Sequence, residues 1–204
     1  MCGICGLVAP HGAPDPALVE RMADAIRHRG PDDGGATPLG RACLGHRRLA
    51  VVDLQQGFQP AASEDGGITV VFNGEVYDFA ALHAELEAKG HAIRGHGDTA
   101  LLPHLYEEHG PRFIERLHGM FALALWDAGR ERLVLARDRV GKKPLLYTTL
   151  PDGTFAFASE LKALLQLPGV RRAVDPEQVD AFLALQYVPG DRSRSEERRV
   201  GKEC

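Results

Sequence analysis

The second residue of the chain is a cysteine behind a bare methionine, a position where one residue can supply both a nucleophile and its base. Cleavage of Met1 would leave an α-amine and a thiol on Cys2. With reference pKa values of about 7.7 to 8 for the amine and about 8.5 for the thiol, the amine can relay the thiol proton at neutral pH with little loss of driving force. Cys2 and Cys5 also form C-x-x-C, the spacing of a redox pair or of half a zinc site. Cys43 and His46 would have to complete such a site, and Arg47 and Arg48 beside them oppose a cation. The histidines are scattered along the chain and read as surface or hydrogen-bonded residues, so no metal is expected.

The surrounding elements must hold residue 2 rigidly. Ile4 to Ala9 is short, apolar and flanked by glycine, which predicts a strand starting almost at the terminus. Asp15-Pro16 caps and opens an amphipathic helix with Leu18, Met22 and Ile26 on one face, ended near Gly30-Pro31. A loop, RHRGPDDGG, follows. Leu49 to Leu54 and Ile68 to Phe72 read as buried strands, the second entered through the turn Asp65-Gly66-Gly67. Ala80 to Lys89 is predicted helical with Gly90 in the capping position, and Thr99 to His109 is a further helix in which Pro103 demands a kink or a later start. Met120 to Trp126 and Arg132 to Ala136 form a predicted hairpin about Ala128-Gly129-Arg130. Thr154 to Ala158 continues its sheet, and short helices follow at Glu160 to Gln166 and Pro176 to Gln186. Antiparallel strands with helices inserted between them imply a layered α+β domain rather than a βαβ one.

With 44% hydrophobic and 25% charged residues in 204, the chain can bury one sizeable core. Its net charge of −4 and the lack of a long Lys/Arg run point away from nucleic acid. The short, interrupted apolar stretches predict neither a membrane span nor a signal peptide, so a cytoplasmic protein acting on small molecules is expected.

Eight separated motifs narrow the reading: MCGICG at the start, RHRGPDD (27–33), GHRRLAVVD (45–53), FNGEVYD (72–78), GD (97–98), HGMFALALWD from His118, ARDRVGKKPLLY from Ala136 and FASELKAL from Phe157. Together they resemble the class II glutamine amidotransferase domain, specifically that of the glutamine-hydrolysing asparagine synthases, over residues 2 to about 190. The resemblance implies the four-layer αββα sandwich of the N-terminal nucleophile (Ntn) hydrolases. It implies Cys2 as nucleophile, Arg48 as the binder of the glutamine carboxylate, and the Asn73 amide with the Gly74 N–H as oxyanion hole. Leu49, Val52, Glu75, Gly97 and Asp98 complete the implied substrate site, Glu75 and Asp98 facing the substrate ammonium. A planar guanidinium fork suits a carboxylate, and glycine at 74 would let the backbone approach the ligand. Gly97 and Ala100 stand where the family commonly has Ser and Glu.

The implied partner is L-glutamine, and the parent family is often homodimeric. No S-G-G-x-D-S nucleotide loop occurs in the chain, so ATP and Mg²⁺ are expected only for a C-terminal synthetase domain absent here, and this chain needs no cofactor. The expected organisation is a glutaminase domain over 2–160, a helical segment over 161–193 leading towards the missing domain, and a tail, 194–204. The tail, RSEERRVGKEC, resembles the translation of a sequencing-adapter oligonucleotide and reads as non-native. Two rival readings are a non-catalytic regulatory or assembly domain of the same fold and a thiol redox or zinc protein built on Cys2 and Cys5.

Overall fold

A computed structural model of the chain describes residues 1–50 and 57–189 and the backbone of 199–200. Fifteen elements follow in order: β1 (Gly3–Val8), α1 (Pro16–Ala25), β2 (Asp33–Leu39), β3 (Ala42–Arg48), β4 (Ala61–Ala62), β5 (Ile68–Val76), α2 (Phe79–Ala88), α3 (Leu102–His109), β6 (Gly119–Asp127), β7 (Arg132–Arg137), β8 (Leu146–Thr149), β9 (Phe155–Ala158), α4 (Leu161–Leu164), α5 (Pro176–Leu185) and β10 (Arg199–Val200). The strands form two antiparallel sheets, one ordered β10-β8-β9-β1-β3-β2 and the other β4-β5-β6-β7.

Side-chain alternation along these strands sorts the apolar residues into three layers. Ile4, Leu44, Val71, Ala124, Trp126 and Phe157 fill the space between the sheets. Cys5, Leu7, Cys43 and Ala156, of opposite parity, pack on the outside of the first sheet against Val19, Met22 and Ile26 and against Ala163, Leu164 and Leu167. Val70, Phe72, Leu123 and Leu125 meet Leu82, Leu86, Leu102 and Leu105 from α2 and α3 on the outside of the second. Helices, sheet, sheet, helices is thus the layer order, and each fully buried Leu or Phe contributes roughly 1.5–3 kcal/mol to holding it.

Local signals set several boundaries. Asp15 accepts from the Ala17 amide at 3.0 Å with Pro16 in the first turn of α1. Pro103 lies in the first turn of α3, where its missing N–H costs nothing, so this helix starts at Leu102 instead of Thr99. Three expectations need correction. Leu49 and Ala50 follow a strand that has already ended at Arg48, and the rest of the predicted Leu49 to Leu54 strand lies outside the described residues. Phe155–Ala158 pairs with β1 in the first sheet, rather than continuing the β6–β7 hairpin. The loop RHRGPDDGG opens as a 3-10 turn at Arg27–Arg29, and its last three residues, Asp33 to Gly35, already belong to β2, an edge strand whose Pro38 needs no ladder partner on its open side.

Candidate functional site

The space between the sheets opens at one end into a cavity of about 620 Å³. Strand parity decides what lines it. On β3, Arg48 shares the inward face of Ala42 and Leu44; on β1, Cys2 precedes Ile4 by two residues; on β5, Asn73 follows Val71 by two. Pairing of Gly3 with Arg47 sets Cys2 alongside Arg48. The three inward faces run past the end of the apolar layer, and Cys2, Arg48 and Asn73 occupy the positions where they do.

Cys2 is half-buried, and its Sγ accepts from the Leu49 amide at 3.5 Å. Its backbone is held from below. Arg29 Nε donates to Cys2 O at 2.9 Å and Arg29 Nη1 donates to Glu160 at 2.9 Å, joining two of the sequence motifs at the terminus. Asp32 secures the next strand end, its amide donating to Arg48 O at 3.2 Å and its carboxylate accepting from Ala50 N at 2.9 Å. A Cβ on Gly30 would lie 2.5 Å from the Arg47 and Arg48 carbonyl carbons, so only glycine allows this loop to close on β3.

Asn73 is 1% exposed, and neither its Nδ2 nor its Oδ1 has a hydrogen-bond partner among the described residues. A buried amide left in that state costs about 1–3 kcal/mol, and Asn73 borders the cavity, where both its polar atoms can meet a bound molecule. The β5 backbone beside it has a definite polarity. Tyr77 N donates across to His118 O, so the odd-numbered amides of β5 face β6 and the even-numbered ones face away. Phe72 N donates to Gln59 Oε1 at 2.8 Å and Val76 N to Asp98 Oδ2 at 2.9 Å. The Gly74 N–H lies between these two on the same side of β5, and Gly74 borders the cavity. Glycine is required at 74 for a reason other than ligand approach: an added Cβ would sit 2.3 Å from Met120 O on β6.

Glu75, Gly97 and Asp98 line the same cavity, as do Leu49, Gln59, Met120 and Lys143. Burial, together with the charge of Glu75, raises the Asp98 carboxyl above the ordinary aspartate range, against the lowering effect of the Val76 amide. Val52 lies outside the described residues; every other site residue expected from the sequence borders this one cavity. Gln59, Met120 and Lys143 were not expected there. Arg29 and Glu160 sat in quoted motifs, but no signal in either motif tied them to residue 2.

Cys5 does not join them. It is fully buried on the helix-covered side of β1, next to Cys43, and burial raises the Cys43 thiol to about 11 and the Cys5 thiol higher still. One strand turns Cys2 and Cys5 to opposite faces, which removes the geometry of a redox or zinc pair.

A two-sheet sandwich covered by helices, with a cysteine, an arginine and a buried amide on one cavity, is the form expected of a glutamine amidotransferase domain. The chain belongs to the glutamine amidotransferase domain family, whose profile matches residues 1–200. It is 40% identical to asparagine synthetase [glutamine-hydrolyzing] 3 of Bacillus subtilis over 91% of this chain and 31% of that protein. It is also 41% identical to asparagine synthetase [glutamine-hydrolyzing] 3 of Arabidopsis thaliana over 79% of this chain and 28% of the relative. The chain therefore spans about a third of the length of these curated relatives. Among solved structures, the glutamine phosphoribosylpyrophosphate amidotransferase of B. subtilis superposes with a TM-score of 0.66 over 80% of this chain and 43% of its own, at 20% identity, a likeness of fold.

Proposed function

We propose that this domain hydrolyses the side-chain amide of L-glutamine through a thioester on Cys2 and supplies the ammonia to an asparagine synthase-like partner domain. The observation that carries the reading is the buried, partnerless Asn73 amide on the cavity wall shared with Cys2. With Met1 removed, the Cys2 amine takes the thiol proton and the thiolate attacks the amide carbon. Negative charge then develops on the amide oxygen, where Asn73 Nδ2–H and Gly74 N–H donate to it. Ammonia departs with a proton from the Cys2 ammonium. Water adds to the thioester, and glutamate leaves with the thiol restored. Arg48 pairs with the substrate carboxylate, and Glu75 and Asp98 receive its ammonium. That cation would lower the energy of ionised Asp98, whose charge burial disfavours.

No cofactor enters these steps; we assign ATP and Mg²⁺ to a separate synthetase domain. We place the protein in the cytoplasm; among the described residues no helix is long and apolar enough to cross a membrane. A diazoketone analogue of glutamine tests the site. Intact and peptide mass spectra should show one adduct, on Cys2 of protein lacking Met1, prevented by excess glutamine. Labelling elsewhere, or labelling indifferent to glutamine, would remove the assignment.

A further inference from the structure

Two of the scattered histidines meet in the fold. His91, in the connection after α2, and His104, on α3, lie with ring centroids 5.0 Å apart. Glu64 from the β4–β5 turn and Glu107 one turn along α3 close the group, so that one ligand atom from each of the four falls within 4.8 Å of the others. We propose that these four side chains form a binding site for a divalent transition cation of the Zn²⁺ type, independent of the glutamine reading.

The separations suit a tetrahedral ion. His104 Nδ1 is 3.2 Å from Glu64 Oε2 and 3.0 Å from Glu107 Oε2; His91 Nδ1 is 3.7 Å from Glu64 Oε1 and 3.6 Å from Glu107 Oε2. Bonds of about 2.0–2.1 Å to a central Zn²⁺ place tetrahedral ligand atoms roughly 3.3–3.4 Å apart, in the middle of that range. Two imidazoles and two carboxylates match a borderline ion better than Ca²⁺ or Mg²⁺, which prefer oxygen alone. Two ionised carboxylates between neutral imidazoles also leave a charge of about −2, which a dication neutralises.

The supporting contacts have the form such a site needs. Glu108 Oε1 lies 3.1 Å from His91 Nε2, and a proton held there leaves the Nδ1 lone pair turned to the group. Ala92 N–H donates to Glu64 Oε1 at 2.8 Å. His104 is almost fully buried while the glutamates are exposed, which gives an anchored floor and an open entry. The ion would tie the β4–β5 turn and α3 to His91, the start of the segment that ends at Asp98 on the glutamine cavity.

The competing arrangement is a proton-bridged His–Glu ion-pair cluster without metal. Chelator-treated protein titrated with Zn²⁺ by calorimetry, and with Co²⁺ by visible absorption, distinguishes the two. One equivalent should bind, with a tetrahedral Co²⁺ spectrum lacking a thiolate charge-transfer band, and amide exchange over 91–98 should slow. E64Q and E107Q, both at exposed positions, should each weaken binding at least tenfold, and the double variant should abolish it with an unchanged circular-dichroism spectrum. Absence of stoichiometric binding, a thiolate band, or full affinity in the double variant would each overturn the site.

Discussion

Asn73→Ala separates function from stability with opposite signs. The Asn73 amide is buried and partnerless, so its removal relieves a desolvation cost of about 1–3 kcal/mol, partly offset by lost packing of the same few atoms. For a domain of this size each kcal/mol moves Tm by about 2–4 °C, which predicts a midpoint unchanged or raised by a few degrees. In the proposed mechanism the same change removes one of two donors to the developing oxyanion. That loss is worth about 2.7–4 kcal/mol, or roughly 10²–10³ in kcat, with little change in KM because the donor acts mainly on the transition state. Glutamate release assayed across glutamine concentrations, beside a thermal melt, gives both readings from one preparation. A variant that loses several degrees while keeping wild-type kcat would mean that Asn73 is a structural amide with a partner in solution, and the oxyanion-hole argument would fail.

Asp98→Asn follows similar logic at the proposed site of the substrate ammonium. An aspartate whose folded pKa lies above its unfolded value binds protons more readily when folded, so its ionisation costs stability as pH rises through that range. The variant should melt no lower than wild type at pH 7 yet raise KM for glutamine by tenfold or more; in wild type, KM should climb as acid protonates Asp98. Gly74→Ala forces a methyl against Met120 O and should cost about 1–3 kcal/mol, seen as a lower Tm together with lost turnover. Stopping the chain after Ser193 removes only the two-residue pairing of β10 with β8 among the described contacts. Melting temperature and glutaminase rate should be unchanged, and a loss of several degrees would show that the tail packs as native sequence.

The parts of this molecule legible in its sequence were those with local causes. The β6–β7 hairpin alternates cleanly because its two faces meet different layers, and α1 is bounded by an acid cap and proline. β3 was misplaced because its inward face ends in His46 and Arg48, which look polar in sequence but face the cavity end of the inter-sheet layer. Apolar Leu49 onward drew the strand prediction instead. The cavity-lining residues were legible through their motifs, whereas the Arg29–Glu160 clasp and the His91–His104 group join residues 131 and 13 positions apart, and only the packed fold brings them together. Cys5 shows the reverse: a suggestive spacing that strand alternation dissolves.

In the proposed mechanism Cys2 acts through its own α-amine. Glutamate formation should therefore be compared between protein with Cys2 at its free terminus and protein bearing a short uncleavable extension before Cys2. The extension keeps the thiol but turns the amine into an amide without useful basicity. A rate lower by about 10²–10⁴, with more lost if the extension fills the cavity, is the predicted result. Equal rates from the two proteins would contradict the mechanism.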